Sequence, residues 1–481
     1  MGTKVFMSVR SYRAVRRARL PAGEVIALTA LILGGPTLFQ AAAADESYPG
    51  MLPGDVETVS CPVVGVEGGA PLPLGKAIDI ALCGDAQIRA AWSSIRVQAA
   101  ALGQAKAAYW PTLSANVSEL TDRTAYPGTP LPATTRTEAT VYGSLTWRLF
   151  DFGGRAATRR AAEALLEQAI SSRDATIQKT LSSVVQAYFD GVTAKGLIDN
   201  KNEDETLARS TLASAQRKQA QGGGAQSDTL QAATALAKVS LDRNRAIGQY
   251  EKALASLVYV LGLPPNSLLT LPDDVDLPTG LEEQDLTTWL KEAAQRHPAI
   301  LAARAAVDAA REQITVTRSS GRPTLDLTGD YYQNAYPGQG LTSTNSQVGT
   351  IGLSITVPLF DGFSTHYKVR GAEELAKAKE AEAQDIEQQT LMQVVQAHAD
   401  AESSLRNLSV SKDLLQAARA ALESAQRRYS NGATDILELL NAQAALSDAR
   451  GERVRCLAEW RSARLTLLAS GGVLNRTTLN Q

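Results

Sequence analysis

Few residues in this chain could do covalent chemistry. His297, His366 and His398 are scattered and show no metal-ligand spacing. The run Gly222-Gly223-Gly224 invites comparison with a phosphate loop, but no Gly-Lys-Ser/Thr follows and it succeeds a helical pattern, not a strand. There is no nucleophile elbow, and no carboxylate pair has a base beside it. The chain reads as no enzyme, with no cofactor and no metal. What remains is chemistry of charge and hydrogen bonding, concentrated in two turn clusters, Gly222–Asp228 (GGGAQSD) and Ser430–Asp435 (SNGATD). Taken alone, those clusters are helix punctuation. Of the three cysteines, Cys456 stands alone in a late helical segment. Cys61 and Cys83 can close a small loop in an oxidising compartment, the other reading being two unrelated thiols.

The balance of 48 Lys+Arg against 50 Asp+Glu offers no basic surface for nucleic acid. Aromatics at 5% are thin for the girdles of a single-chain porin. At the N-terminus, Lys4, Arg10, Arg13, Arg16, Arg17 and Arg19 precede a short apolar core, Val25–Gly35, and the Ala41–Ala44 run. Residues 1–44 therefore read as a signal peptide, followed by an extension over 45–71. No apolar stretch in the body of the chain is long enough for a transmembrane helix.

Self-similarity carries the most information about the elements. VVQAYFD at Val184–Asp190 returns as VVQAHAD at Val394–Asp400, 210 residues later. Phe150-Asp151 returns as Phe360-Asp361 and Ala215-Gln216-Arg217 as Ala425-Gln426-Arg427 at the same offset. Trp110-Pro111-Thr112-Leu113 is echoed by Arg322-Pro323-Thr324-Leu325. The chain is thus written twice, over 72–262 and 286–472, with a linker over 263–285 and a tail over 473–481.

Each copy opens with a helical pattern, Leu74 to Tyr109 and Leu286 to about Ser320, ended by Pro111 and Pro323. Two alternating segments follow. Leu113, Ala115 and Val117, then Val141 to Leu149, alternate with polar residues in the first copy. Leu325 to Tyr331 and Ile351 to Leu359 do so in the second. A period of two makes one face apolar and one polar. A soluble sheet would alternate likewise, but segments of about 10 residues with Asp and Arg on the polar face suit strands around a water-filled lumen. Four strands cannot close a barrel, and open edges in lipid leave backbone groups unpaired, so subunits must pool strands. Three copies give about 12.

Helical patterns of some 68 residues come next, about 100 Å at the α-helical rise. Val394, Ala401, Leu408, Leu415 and Leu422 recur every seven residues, with Leu391 and Leu405 expected in the other seam position of a coiled coil. Return helices over Ser227–Leu261 and Thr434–Leu468 complete each copy.

WPTL, LFDFGG, LFDGF and YSNGATDILELLNAQ together resemble the TolC-like outer-membrane factors of type I secretion and tripartite efflux, across about Leu72 to Gly472. The type I secretion branch is the nearer match. The resemblance implies an α+β membrane protein: a homotrimer whose 12-stranded β-barrel, four strands per chain, continues into a 12-helix coiled-coil periplasmic tunnel. It implies an exit duct in the Gram-negative outer membrane, touching outer-membrane lipid. An inner-membrane adapter, an ABC transporter and an exported protein such as a repeat toxin would be its partners. The turns would dock the adapter at Gly222, Gly223, Gly224, Asn431, Gly432 and Thr434. The pore constriction of the family falls on Glu438 and Asn441, three apart and on one helical face. Asn stands where better-known members carry Asp, giving three carboxylates per trimer instead of six. A latch of the family falls on Tyr429 and Asp228, with Thr434 in place of its usual Arg. Two other functions share these features: proton-driven drug or metal efflux on the same fold, and a soluble periplasmic coiled-coil structural protein.

Overall fold

The computed structural model describes residues 71–272 (apart from 129 and 131), 285–333 and 347–473. The expected signal peptide, Cys61 and nearly all of the C-terminal tail lie outside the described residues. The elements are α1 Leu74–Gly84, α2 Ala86–Ala107, β1 Thr112–Thr124, β2 Thr134–Phe150, α3 Gly154–Ala220 and α4 Gln226–Val260. After the linker come α5 Leu286–Arg296, α6 Pro298–Ser319, β3 Thr324–Gln333, β4 Gln347–Thr356, α7 Ser364–Ser430 and α8 Ile436–Ser470.

The leading helix of each copy, expected to be continuous, is broken in two. The breaks fall at Asp85 and at His297, each in extended backbone, and each side chain caps the helix that follows. Asp85 Oδ1 accepts from the Gln87 N–H at 2.6 Å, and His297 Nδ1 from the Ala299 N–H at 3.2 Å. Pro298 lacks an N–H and sits at the first helical position, where none is needed.

β1 to β4 form one antiparallel sheet in chain order, leaving β1 and β4 as edges. The register stacks apolar residues on one face: Leu113 opposite Leu145, Trp147 opposite Leu327, Leu327 opposite Leu353 and Leu325 opposite Ile355. The other face is polar, with Arg148 bonded to Asp326 at 2.9 Å and Tyr142 to Asp330 at 2.9 Å. Among the described residues no other element covers the apolar face; Ile351 is 81% and Ile355 69% exposed. β1 and β2 are longer than expected, at 13 and 17 residues. β4 is shorter than its alternation promised: it stops at Thr356, and Pro358 lacks the N–H for the next rung.

Each strand-to-helix corner carries two consecutive left-handed residues, Phe152 and Gly153, then Gly362 and Phe363. The Asp of each Phe-Asp pair caps the following helix: Asp151 accepts from the Arg155 N–H and Asp361 from the Thr365 N–H, both at 2.8 Å. Trp110, Phe150, Phe152, Leu359, Phe360 and Phe363 are exposed around these corners. Five exposed aromatics thus cluster at this end of the sheet.

α3 and α7 each run 67 residues, about 100 Å. α3 packs on α2 and α6 along its strand-side part and on α4 and α8 towards the turns, while α7 packs on α6 and α8. The seam of α7 differs from expectation. Val394 and Leu422 are buried, but Leu405 is 54% exposed, and the second seam position holds Thr390, Ala397, Ser404, Ser411, Ala418 and Ala425. These recur every seven residues, and their small side chains let the helices approach closely. Against α6 the pairing is ionic. Arg304, Arg311 and Arg318 meet Glu387, Glu380 and Glu373 at 3.3, 2.8 and 3.1 Å, every pair one heptad from the next.

The largest core lies between the strands and the turns. Leu72, Leu269 and Leu271 from the flanking segments pack there on Leu181, Val185 and Tyr188 of α3. Tyr188 is fully buried and donates to the Leu72 carbonyl at 2.9 Å.

Candidate functional site

The two turns are built alike. α3 ends as Gly222 takes a left-handed φ of 73° and the Gly223 N–H donates to the Lys218 carbonyl at 3.0 Å. α7 ends as Gly432 takes φ 72° and the Ala433 N–H donates to the Arg428 carbonyl at 2.8 Å. Both are glycine-terminated helix caps whose reversed chain reaches back to the last turn. Gly222, Gly223 and Asn431 are exposed at these ends, and Gly224 and Thr434 are half-buried.

The turns part company in their charges. In the second, Glu438 is closed into its own loop. It accepts from Arg428 Nη1 at 2.6 Å and from the Thr434 hydroxyl, while its backbone N–H is capped by Asp435 at 3.0 Å. Its charge is therefore compensated within the chain. Asn441, one turn further along α8, is exposed. Thr434, standing where the family's latch Arg was expected, serves Glu438 and not Asp228.

In the first turn Lys218 and Asp228 occupy the places of Arg428 and Glu438 at the 210-residue offset, yet no ion pair joins them among the described residues. Lys218 reaches across to the second turn. Its Nζ lies 3.9 Å from the centre of the Tyr429 ring and donates to the Tyr429 carbonyl. Tyr429 is buried at 7% exposure among Ala215, Leu422, Ile436 and Leu439. Burial first, and then the charge of Asp228, hold its phenol above the ordinary tyrosine range. The structure thus brings to Tyr429 a cation that sequence reasoning passed over, while Asp228 acts on the phenol through its charge and accepts its hydrogen bond from Ser227. The signal was present, since Lys218 and Arg428 share the offset of the two copies, but each also reads as an ordinary basic residue in a helix's last turn.

Behind the turns, α3 and α7 enclose a groove of about 400 Å³, with Leu439 of α8 at one side. Ser210, Thr211, Ser214, Arg217, Lys218 and Gln221 form its α3 wall, and Gln426, Tyr429 and Ser430 its α7 wall. Among the described residues no carboxylate lines it. Further from the turns α3 is tied to both return helices by adjacent buried acids. Asp204 meets Lys201 at 3.1 Å and Ser447 of α8, and Glu205 meets Ser240 at 2.8 Å and Arg243 at 2.6 Å on α4. Among the described residues no group of His, Cys, Asp and Glu is arranged to hold a metal. Cys83 is half-buried near the end of α1, and its expected partner Cys61 lies outside the described residues.

A model of the outer membrane efflux protein family matches residues 77–263 and 289–473. Protein CyaE of Bordetella pertussis is 35% identical over 409 residues, covering 85% of this chain and 86% of that protein. The alkaline protease secretion protein AprF of Pseudomonas aeruginosa is 24% identical over 70% of each chain. Among solved structures, the outer-membrane channel OprN superposes with a TM-score of 0.75 at 22% identity, over 83% of this chain and 90% of that one. The fold is that of these channels, largely helical with a four-stranded sheet. With a four-stranded sheet and two long helical hairpins that end on turns of one design, the chain belongs to the outer membrane efflux protein family of the bacterial outer membrane.

Proposed function

We propose that this protein is the outer-membrane exit duct of a tripartite export system, passively conducting a protein delivered by type I secretion. Likeness to CyaE and to AprF, whose name records secretion of an alkaline protease, supports the protein-export branch. The observation that carries the reading is the sheet: among the described residues, one apolar face bare of other elements, one polar face, and two unpaired edges. Three copies pool their strands into a 12-stranded barrel, because unpaired backbone in lipid costs several kcal/mol per group. The polar face with Arg148, Asp326 and Asp330 then lines water, and the helices extend the lumen through the periplasm.

In this reading residues 1–44 are the signal peptide and 45–71 an extension held by a Cys61–Cys83 bridge. Copies over 72–262 and 286–472 are joined by a linker over 263–285, and a tail runs over 473–481. The turns at Gly222–Gly224 and Asn431–Thr434 meet the inner-membrane adapter, through which an ABC transporter hands over its substrate. Glu438 and Asn441 form the constriction, and Tyr429 with Asp228 the latch. Function of this kind needs no catalytic residue and no cofactor.

Fractionation of cells expressing the full chain tests the duct. The expected result is an outer-membrane protein that runs as a detergent-resistant trimer and forms channels in planar bilayers. Recovery of a monomer from the soluble periplasm would sink it. For the constriction, Glu438→Ala frees Arg428 and is expected to raise single-channel conductance; an unchanged conductance removes Glu438 from the gate.

A further inference from the structure

Charges on the polar face of the sheet are few, and their pairing is uneven. In the part of the sheet where all four strands run together, residues 112–117, 141–150, 324–333 and 347–356, the only charged residues are Arg148, Asp326 and Asp330. Past the rung that joins Val141 to Gln333 only β1 and β2 continue, so their outer charges belong to no four-stranded wall. Arg148 and Asp326 are closed on each other, Nε to Oδ1 at 2.9 Å and Nη2 to Oδ2 at 3.4 Å. Asp330 accepts from the Tyr142 hydroxyl at 2.9 Å, and among the described residues no cation meets it. It stands opposite Ser144 on β2 and Thr350 on β4. Arg148 lies four residues further along β2, about 13 Å away at the rise of a strand, and is already taken. A neutral hydroxyl holds a carboxylate in place without cancelling its charge.

The turns contrast with this. Glu438, the carboxylate expected at the constriction, meets Arg428 at 2.6 Å within its own chain. Its charge is cancelled locally, and that of Asp330 is not. In a closed trimer, twelve strands about 4.8 Å apart and tilted by about 40° enclose a backbone circle of radius about 12 Å. That radius is close to the Debye length of about 10 Å in 0.1 M salt and well above the value of about 3 Å in 1 M. One uncompensated carboxylate per chain on such a wall therefore sets the potential of the lumen in dilute salt and loses that hold in concentrated salt. This argument rests on the exit-duct reading given above.

We propose that Asp330, one per chain, forms a ring of uncompensated carboxylates inside the barrel that makes the duct favour cations, and that this ring, not Glu438, sets its ionic preference. Choice by charge and restriction by size are then made at opposite ends of the long helices. Arg148 and Asp326, satisfied by each other, take no part in the choice.

The test is the reversal potential of the full-length protein in planar bilayers under a potassium chloride gradient, once near 0.1 M and once near 1 M, where screening is weak and strong. The unmodified channel is expected to pass potassium severalfold better than chloride in the dilute gradient and to approach equal passage in the concentrated one. Asp330→Asn keeps an oxygen that accepts from Tyr142 and is expected to bring the dilute-salt ratio close to unity. Thr350→Arg, opposite Asp330, is expected to do the same by adding a cation, and the two changes together to turn the preference to chloride. Glu438→Gln is expected to shift the ratio less than Asp330→Asn, whatever it does to total conductance. Should Asp330→Asn not assemble into a detergent-resistant oligomer, Thr350→Arg decides, or Ser144→Arg on the other flank of Asp330. An unmodified channel without cation preference in dilute salt, or assembled variants that keep the unmodified ratio, overturns the proposal while leaving the duct standing. So does a preference that is lost in Glu438→Gln and kept in Asp330→Asn. Absence of any channel in the unmodified protein overturns the duct itself.

Discussion

Tyr429 shows how a side chain's contacts rank the substitutions it will tolerate. Lys218 touches the ring face and the backbone carbonyl, and neither is lost in Tyr429→Phe. Tyr429→Leu removes the ring. Conductance in planar bilayers should therefore rise clearly in the Leu variant and only slightly in the Phe variant; the opposite order would transfer the latch to the hydroxyl and Asp228. Tyr188→Phe, by contrast, leaves the buried Leu72 carbonyl without its donor and is expected to cost about 1–2 kcal/mol in thermal unfolding. His297 adds a pH dependence. Burial holds its imidazole below the ordinary value, and its Nδ1 must be unprotonated to cap α6. Its contribution is complete above the unfolded pKa of about 6.5 and is lost as pH falls below that value towards the folded one. His297→Asn, which caps without titrating in this range, should flatten the loss of thermal stability between neutral and mildly acid pH. At this scale the two turns were legible from their breaker residues, while Tyr429, Asp228 and Glu438 were singled out only by resemblance to the family. The sequence could not show that Lys218 reaches a residue 211 positions away, since that depends on how α3 lies against α7.

Elements were more legible than contacts, and for a physical reason. Long helices and strands write their periods into the chain, so the lengths of α3 and α7 and the alternation in all four strands could be read directly. The breaks at Asp85 and His297 could not, because Ala-rich helical spacing runs straight across both. Leu405 was misplaced because a search for bulky apolar residues cannot see a seam made of Ala, Ser and Thr. That seam yields a prediction: Ala418→Leu overfills it and should lower stability by about 1–3 kcal/mol, measured by thermal unfolding in detergent. The α6–α7 ladder yields another. Arg311→Glu places like charges at Glu380 and should destabilise by about 1 kcal/mol, and Glu380→Arg in the same chain should restore most of it, as a double-mutant cycle reads out. Independent effects would show that the pair contributes nothing to register.

For the whole molecule the two faces of the sheet set the terms. Ile351 lies on the apolar face and its neighbour Thr350 on the polar one, opposite Asp330. Ile351→Arg puts a charge into hydrocarbon at a cost of about 2–4 kcal/mol near the midplane and should reduce the yield of detergent-resistant oligomer in the outer membrane. Thr350→Arg faces the proposed lumen and should assemble normally. Equal loss in both would argue against a barrel. The ladder between α6 and α7 also bears on size. Its arginines and glutamates repeat with the heptad, so sliding one helix by about 10 Å, seven residues at the helical rise, re-forms two of the three pairs, and any smaller slip breaks them all. The molecule therefore carries a graduated scale along its axis. Lineages that lengthened or shortened such a conduit would be expected to do so in whole heptads, and grafts between relatives of unequal reach should succeed when the cut keeps that unit.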